Sequence, residues 1–257
     1  MAEQRQRWPD VIWIVRHGES AGNVAAAAAH EASLPTIQIA TRDVDVPLSA
    51  RGEEQATALG HWFASLPEDE RPTVVLTSPY VRAQRTAEII CRHGGTDEPD
   101  EALIIDERLR EREFGILDRL TALGVQQRFP EQFEQRRQLG KFYHRPPGGE
   151  SWADVILRLR SMLDTINLHY NRERVLIVCH EVVVLCLRYL LECMTEAEVL
   201  EIDAAHAVPN CGVTSYEFNP QLGRWGKMEL KLFNFVAPLV EGGAAVTAAR
   251  DVPVAAK

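Results

Sequence analysis

Cysteine is scarce: the 257 residues hold five, at positions 91, 179, 186, 193 and 211, and no two form a CxxC pair. An odd count without pairs argues against a disulfide framework and reads as reduced, mostly buried thiols in a cytoplasmic protein. Basic charge is also in short supply, with 28 Lys and Arg against 37 Asp and Glu and a formal net charge of −9. A nucleic-acid binder carries a basic excess on one face, so nucleic acid is excluded as a partner, whereas a small anion answers to local charge and is not. Long apolar runs are missing as well. The most apolar stretch, Val182 to Leu191, carries Arg188 and is half of the ~20 residues that span a bilayer. It reads as a buried helix, and no membrane partner is expected. The N-terminus, MAEQRQRWPD, has no apolar segment of the kind a secretory signal needs. No internal repeat is visible.

What is present is ordinary globular composition, 46% hydrophobic and 25% charged, in a chain long enough to bury a core unaided. Val11 to Val15, Thr73 to Thr77 and Val175 to Cys179 are continuous apolar, β-branched-rich runs, the pattern of strands buried on both faces. Helical periodicity fills the gaps at Glu53–Ser65, Arg82–Arg92, Trp152–Asn167 and Val182–Glu192. Weaker strand candidates are Leu103–Ile105, Val213–Phe218 and Met228–Phe233. The fold class is therefore α/β, a three-layer sandwich with a mostly parallel central sheet and helices on both faces. A polar stretch at about 119–148, closed by Pro146-Pro147-Gly148-Gly149, reads as a helical lid inserted into one domain spanning 1–236. Residues 237–257, mostly Ala, Val and Gly without periodicity, are expected to be a disordered tail.

In such a sheet, sites form at the carboxyl ends of the strands. Arg16-His17, then Ser78 with Arg82, then Glu111, then His180 follow the expected strands. Singly each has a structural reading: a packed histidine, a solvated arginine, a carboxylate in a salt-bridged surface. Together, two histidines, two arginines and a carboxylate can hold an anionic tetrahedral group, the guanidinium forks matching its oxygens.

These blocks resemble a known family. Arg16-His17-Gly18-Glu19-Ser20 with Gly22-Asn23 looks like the signature of the histidine phosphatase superfamily (phosphoglycerate mutase-like). Later blocks follow in order: Pro47-Leu48-Ser49 with Gly52 and Gln55-Ala56, Ser78-Pro79-Tyr80-Val81-Arg82-Ala83 with Thr86-Ala87, Leu109-Arg110-Glu111 with Phe114-Gly115, Gly149-Glu150-Ser151, and His180. The resemblance implies that His17 is a nucleophile forming a phosphohistidine. Its second ring nitrogen is then expected to donate to a backbone carbonyl. Arg16, Arg82, His180 and Asn23 are implied as phosphate ligands, and Glu111 as the general acid, with Glu113 as its rival. Arg110 and Arg112 are expected to turn away from Glu111, with burial raising the pKa of that carboxyl. No metal and no cofactor is implied.

The implied activity is hydrolysis of a small phosphomonoester, with that substrate as the partner and a homodimer left open. Phosphoglycerate mutase is the alternative, and a non-catalytic phospho-ligand sensor a second one, disfavoured because no element of the set is missing. A metallohydrolase is disfavoured too, since no HxxxH or HExxH spacing occurs and the arginines would repel a cation. Mutases of this family carry polar groups where this chain reads Phe114, Ala122, Gln138-Leu139 and Val182; a register slip to Arg136-Arg137, two residues earlier, would restore the arginine pair but not the other three. Glu181, in place of a common glycine, either points away from the phosphate or selects a cationic or hydroxylated substrate. From Arg108 to Arg145, nine Lys or Arg face five Asp or Glu, a local excess that would suit either a solvated face or a lid steering anions to His17.

Overall fold

The computed structural model describes residues 6–94 and 103–248. Six strands form one sheet in the order β3-β2-β4-β1-β5-β6. They are β1 (Val11–Arg16), β2 (Val74–Thr77), β3 (Leu103–Ile105), β4 (Arg174–Cys179), β5 (Val213–Asn219) and β6 (Lys227–Phe235). The first four are mutually parallel, while β5 runs antiparallel to β1 and β6 antiparallel to β5. This is the expected α/β architecture, and its central strands are the apolar runs seen in the sequence.

Alternation along those strands builds two cores. Ile12 and Ile14 of β1 and Val175 and Ile177 of β4 face α6 (Trp152–His169), α7 (Glu181–Leu191) and α8 (Glu196–Ala205). Trp13, Val15, Leu176 and Val178 face the other way, against α2 (Ala50–Ser65) and α3 (Val81–Gly94). Period-two geometry thus makes one run serve both layers. Helix starts are written in the sequence: Ser20 before α1 (Ala21–Glu31), Ser151 before α6 and Thr195 before α8 each close a capping box.

The lid carries α4 (Ala122–Arg128) and α5 (Pro130–Tyr143), the latter kinked at Gly140, with a small core of Phe114, Leu117, Leu120 and Val125 at its root. Gly115 closes that root. Its φ is +57° and a Cβ there would sit 2.1 Å from the Pro147 carbonyl oxygen, so only glycine lets the lid's two ends meet. No helix among the described residues is long and apolar enough to cross a membrane.

One expectation is corrected. The stretch from Ala237 onward is not structureless: α9 spans Ala237–Glu241, and Leu239 and Ala244 are buried against α2. Beyond the helix, Asn210 N–H donates to the Thr247 carbonyl at 2.8 Å. Gln55 Nε2 donates to the Ala245 carbonyl at 2.7 Å and to Thr247 Oγ1 at 2.9 Å, and Thr247 Oγ1 donates to Asn210 Oδ1 at 3.0 Å. Order here comes from hydrogen bonds to two fully buried amides, which a search for apolar periodicity does not register. Residues 249–257 of the expected tail lie outside the described residues. Thr247→Val should cost about 1–3 kcal/mol, because Gln55 and Asn210 then lose a partner where water does not reach. Urea unfolding measures it, and unchanged stability would show that the segment does not hold those amides.

Candidate active site

Parallel pairing brings the site together. Arg16 is opposite Cys179 in the β1–β4 register, and Thr77 is opposite Val178 in β2–β4. His17 N–H donates to the Cys179 carbonyl at 2.9 Å and Ser78 N–H to the Val178 carbonyl at 3.1 Å, each extending its ladder by one residue. His17, His180 and Ser78 therefore leave three neighbouring strands at one rim, where α1, α3 and α7 begin. The amino ends of helices favour an anion at that rim.

His17 is fully buried. Its Nδ1 lies 2.7 Å from the Gly18 carbonyl oxygen, and Arg82 Nε donates to its Nε2 at 3.2 Å. A carbonyl only accepts, so Nδ1 holds the proton and Nε2 presents a lone pair, the tautomer expected of a nucleophile. The loop that fixes this ring is itself tightly held. A Cβ on Gly18 would lie 2.5 Å from the Gly52 carbonyl oxygen, so the backbones of the loop and of α2 touch. Gly18 N–H donates to Thr86 Oγ1 at 3.0 Å, Glu19 N–H to Gln55 Oε1 at 2.8 Å, and Asn210 Nδ2 to the His17 carbonyl at 3.0 Å.

The second histidine stands beside the first, with ring centroids 5.2 Å apart. His180 Nε2 and Ser78 Oγ share a 2.8 Å hydrogen bond, and His180 Nδ1 faces Glu111 Oε2 at 3.5 Å. Glu111 is buried, and its Oε1 accepts from Arg112 N–H at 2.7 Å. The hydrogen bonds of the Arg110 and Arg112 side chains go elsewhere, to the Glu150 carboxylate and carbonyl among others. Glu113 is exposed and accepts from Tyr80 O–H at 3.0 Å. Burial, and then the Glu113, Asp43 and Glu111 charges, push the Tyr80 phenol well above its ordinary value, so it stays a donor.

Two implied phosphate ligands have structural duties as well. Arg16 is fully buried and donates through Nη1 to the Val208 carbonyl at 2.6 Å. Asn23 Oδ1 accepts from the Ser20 N–H in the α1 capping box, while the residue lines the cleft above the rim. Glu181 is buried with Oε1 3.5 Å from Val208 N, and it is not part of that cleft wall.

Asp43 was not legible in advance. Arg82 Nη1 donates to its carbonyl at 2.7 Å and to Oδ1 at 2.9 Å, with Nη2 3.4 Å from Oδ2. A carboxylate thus holds the fork that an anionic substrate would engage. Nothing local marks it, since it lies in an irregular segment and meets Arg82 only through the tertiary fold. Asn210 and Thr247 were missed for the same reason.

A model of the histidine phosphatase superfamily (branch 1) matches residues 12–230. The 6-phosphofructo-2-kinase/fructose-2,6-bisphosphatase of Gallus gallus is 31% identical over 189 residues, covering 73% of this chain and 34% of that protein. The chain thus spans about a third of that bifunctional relative's length. The probable phosphoglycerate mutase GpmB of Salmonella paratyphi C is 31% identical over 178 residues, 68% of this chain and 72% of that protein. Among solved structures, a putative α-ribazole-5′-P phosphatase from Escherichia coli superposes with a TM-score of 0.68 at 21% identity, over 89% of this chain and 98% of that one. A mycobacterial glucosyl-3-phosphoglycerate phosphatase does so with a TM-score of 0.65 at 21% identity, over 88% and 98%. The solved structures named as phosphatases share the fold, and the superfamily model spans most of the chain with the arginine-histidine rim inside the matched residues, so this chain belongs to the histidine phosphatase superfamily.

Proposed function

We propose that the chain is a phosphomonoesterase that passes the phosphoryl group through His17. The observation that carries this is the pair of contacts on one ring: Nδ1 committed to Gly18 and Nε2 turned toward Arg82. In the proposed reaction Nε2 attacks phosphorus as the P–O bond to the alcohol breaks. Arg82, Arg16, His180 and Asn23 donate to the equatorial oxygens, where charge gathers. Glu111 gives its proton to the departing alkoxide, then takes one from the water that cleaves the P–N bond. Phosphate leaves and His17 returns with its lone pair. No step calls on a metal.

His17→Ala should abolish turnover, while wild-type activity should survive EDTA. Glu111→Gln should lose on the order of 10² to 10⁴ in rate on an alkyl phosphate and much less on p-nitrophenyl phosphate, whose phenolate leaves unaided. Equal losses on both esters, or a larger effect from Glu113→Gln, would assign the acid elsewhere.

The likeness to GpmB keeps a mutase reading in view. Against it stand Phe114 in the cleft wall and Val182 packed in the core, with Gln138 and Leu139 exposed on α5. None offers the polar anchors that hold a bisphosphorylated intermediate for reorientation. Given 3-phosphoglycerate and a trace of 2,3-bisphosphoglycerate, mutase turnover should fall at least about a hundredfold below phosphate release from a good substrate, about 2.7 kcal/mol in barrier. Rapid isomerisation with little free phosphate would reverse the assignment.

Arg82 must exchange Asp43 for phosphate during binding. Asp43 is partly exposed, so its competition is moderate, about 1 kcal/mol. Asp43→Asn should therefore tighten inhibition by inorganic phosphate or vanadate about three- to tenfold. Weaker inhibition would mean that Asp43 orients Arg82 rather than competing for it.

A further inference from the structure

The cleft above the rim is built for a particular kind of leaving group. It opens to solvent at its mouth and is walled by both polar and apolar side chains. Ile37, Ile39, Val46 and Phe114 supply apolar walls. An alcohol that is all charge and water would leave those surfaces badly matched.

The charges of the wall are unevenly available. Its cations are Arg82 and Arg119. Arg82 is committed to the reacting phosphate and to Asp43. Arg119 donates to the Ile39 carbonyl at 3.1 Å and to the Thr41 carbonyl at 3.0 Å, and its Nε lies 3.5 Å from Asp118 Oδ2. Its fork pins the 37–41 segment over the cleft. The lid's other cations do not line this wall: Lys141 pairs with Asp203, Arg137 with Glu134 and Arg145 with Asp154. Arg128 is exposed and lines a neighbouring hollow together with Arg119 and Asp118, outside the wall of this cleft.

The wall's carboxylates are Asp43, Asp118 and Glu111, three against two arginines. Burial and the neighbouring Asp43 charge push the Asp118 carboxyl above its ordinary value, against the opposing pull of Arg119 and Arg82. A second phosphate or a carboxylate on the substrate would enter the field of these carboxylates while both guanidiniums of the wall are already held by protein oxygens. A hydroxyl would find acceptors in the same place.

We propose that this cleft selects phosphomonoesters of uncharged, hydroxyl-bearing alcohols with an apolar face, and rejects esters carrying a second anionic group. This rests on the phosphomonoesterase reading of the same site and adds the substrate class to it. Fructose bisphosphates and phosphoglycerates, compounds named for several relatives, fall on the rejected side.

Two aryl esters isolate the distal group: 3-(hydroxymethyl)phenyl phosphate and 3-carboxyphenyl phosphate, whose phenols are nearly equal in acidity and so leave equally well. Wild-type kcat/KM should favour the hydroxymethyl ester at least about tenfold, the equivalent of one unit on the affinity scale. Asp118→Asn should narrow that ratio to about threefold or less, and a ratio is insensitive to how much of a variant folds. A wild-type ratio near one, or one favouring the carboxylate, overturns the class. An unchanged ratio in Asp118→Asn overturns the role given to that carboxylate. Hydrolysis of phenyl phosphate that His17→Ala removes, without any preference between the two esters, defeats this inference alone. Absence of any His17-dependent hydrolysis defeats the phosphomonoesterase reading and this one with it.

Discussion

An imidazole can offer a lone pair in one direction only if its proton is kept in the other. The 2.7 Å contact between His17 Nδ1 and the Gly18 carbonyl imposes that condition, and much of the surrounding structure maintains it. The carbonyl is aimed by a loop with no slack, pressed on the backbone of Gly52 and tied to Thr86, Gln55 and Asn210. Pairing of β1 with β4 then brings the second histidine to the first. The sheet's role in function is less to form a surface than to fix two rings within 5.2 Å of each other.

Electrostatics at the rim follow a similar economy. Three helix amino ends and two arginines favour a dianion, yet both guanidiniums hold oxygen acceptors of the protein: Arg82 on Asp43 and Arg16 on Val208. Carboxylate and carbonyl partners keep buried cations from standing alone, which would be costly at this depth. A site poised in this way exchanges one set of oxygens for another instead of desolvating bare charge. The proposed substrate brings the exchange partner with it.

How much of this could be read from the sequence varied with the kind of interaction. Strands β1, β2 and β4 were plain because burial on both faces demands unbroken apolar runs, and the residues just after them were the rim. Gly52, Gln55 and Thr86 stood in recognisable blocks, and the structure supplies their reason: they support the His17 loop. Asp43, Asn210 and Thr247 left no trace. Each acts through polar contacts between irregular segments, and such contacts impose neither period nor composition on the residues around them. The segment after Ala237 misled for a related reason. Two backbone carbonyls and the single hydroxyl of Thr247 do the binding, with Leu239 and Ala244 packed behind them, and so few contacts leave no period to read. The lid's charge was legible as an excess, whereas the pairing of Lys141 with Asp203, 62 residues further along the chain, was not.

The distance along the chain between His17 and its supports also governs when the site can exist. Asn210 is 193 residues beyond the carbonyl it holds, and Thr247 is 192 beyond Gln55. Contacts so remote form late, since the chain must be largely collapsed before they repay its ordering. A polypeptide emerging amino end first carries His17 193 residues ahead of Asn210, in a loop that still lacks that support. The imidazole is then an ordinary one, free to take either tautomer and open to water. Under the proposed mechanism, phosphoryl chemistry is thereby withheld from partly made chains, and the completion of folding is the event that turns it on.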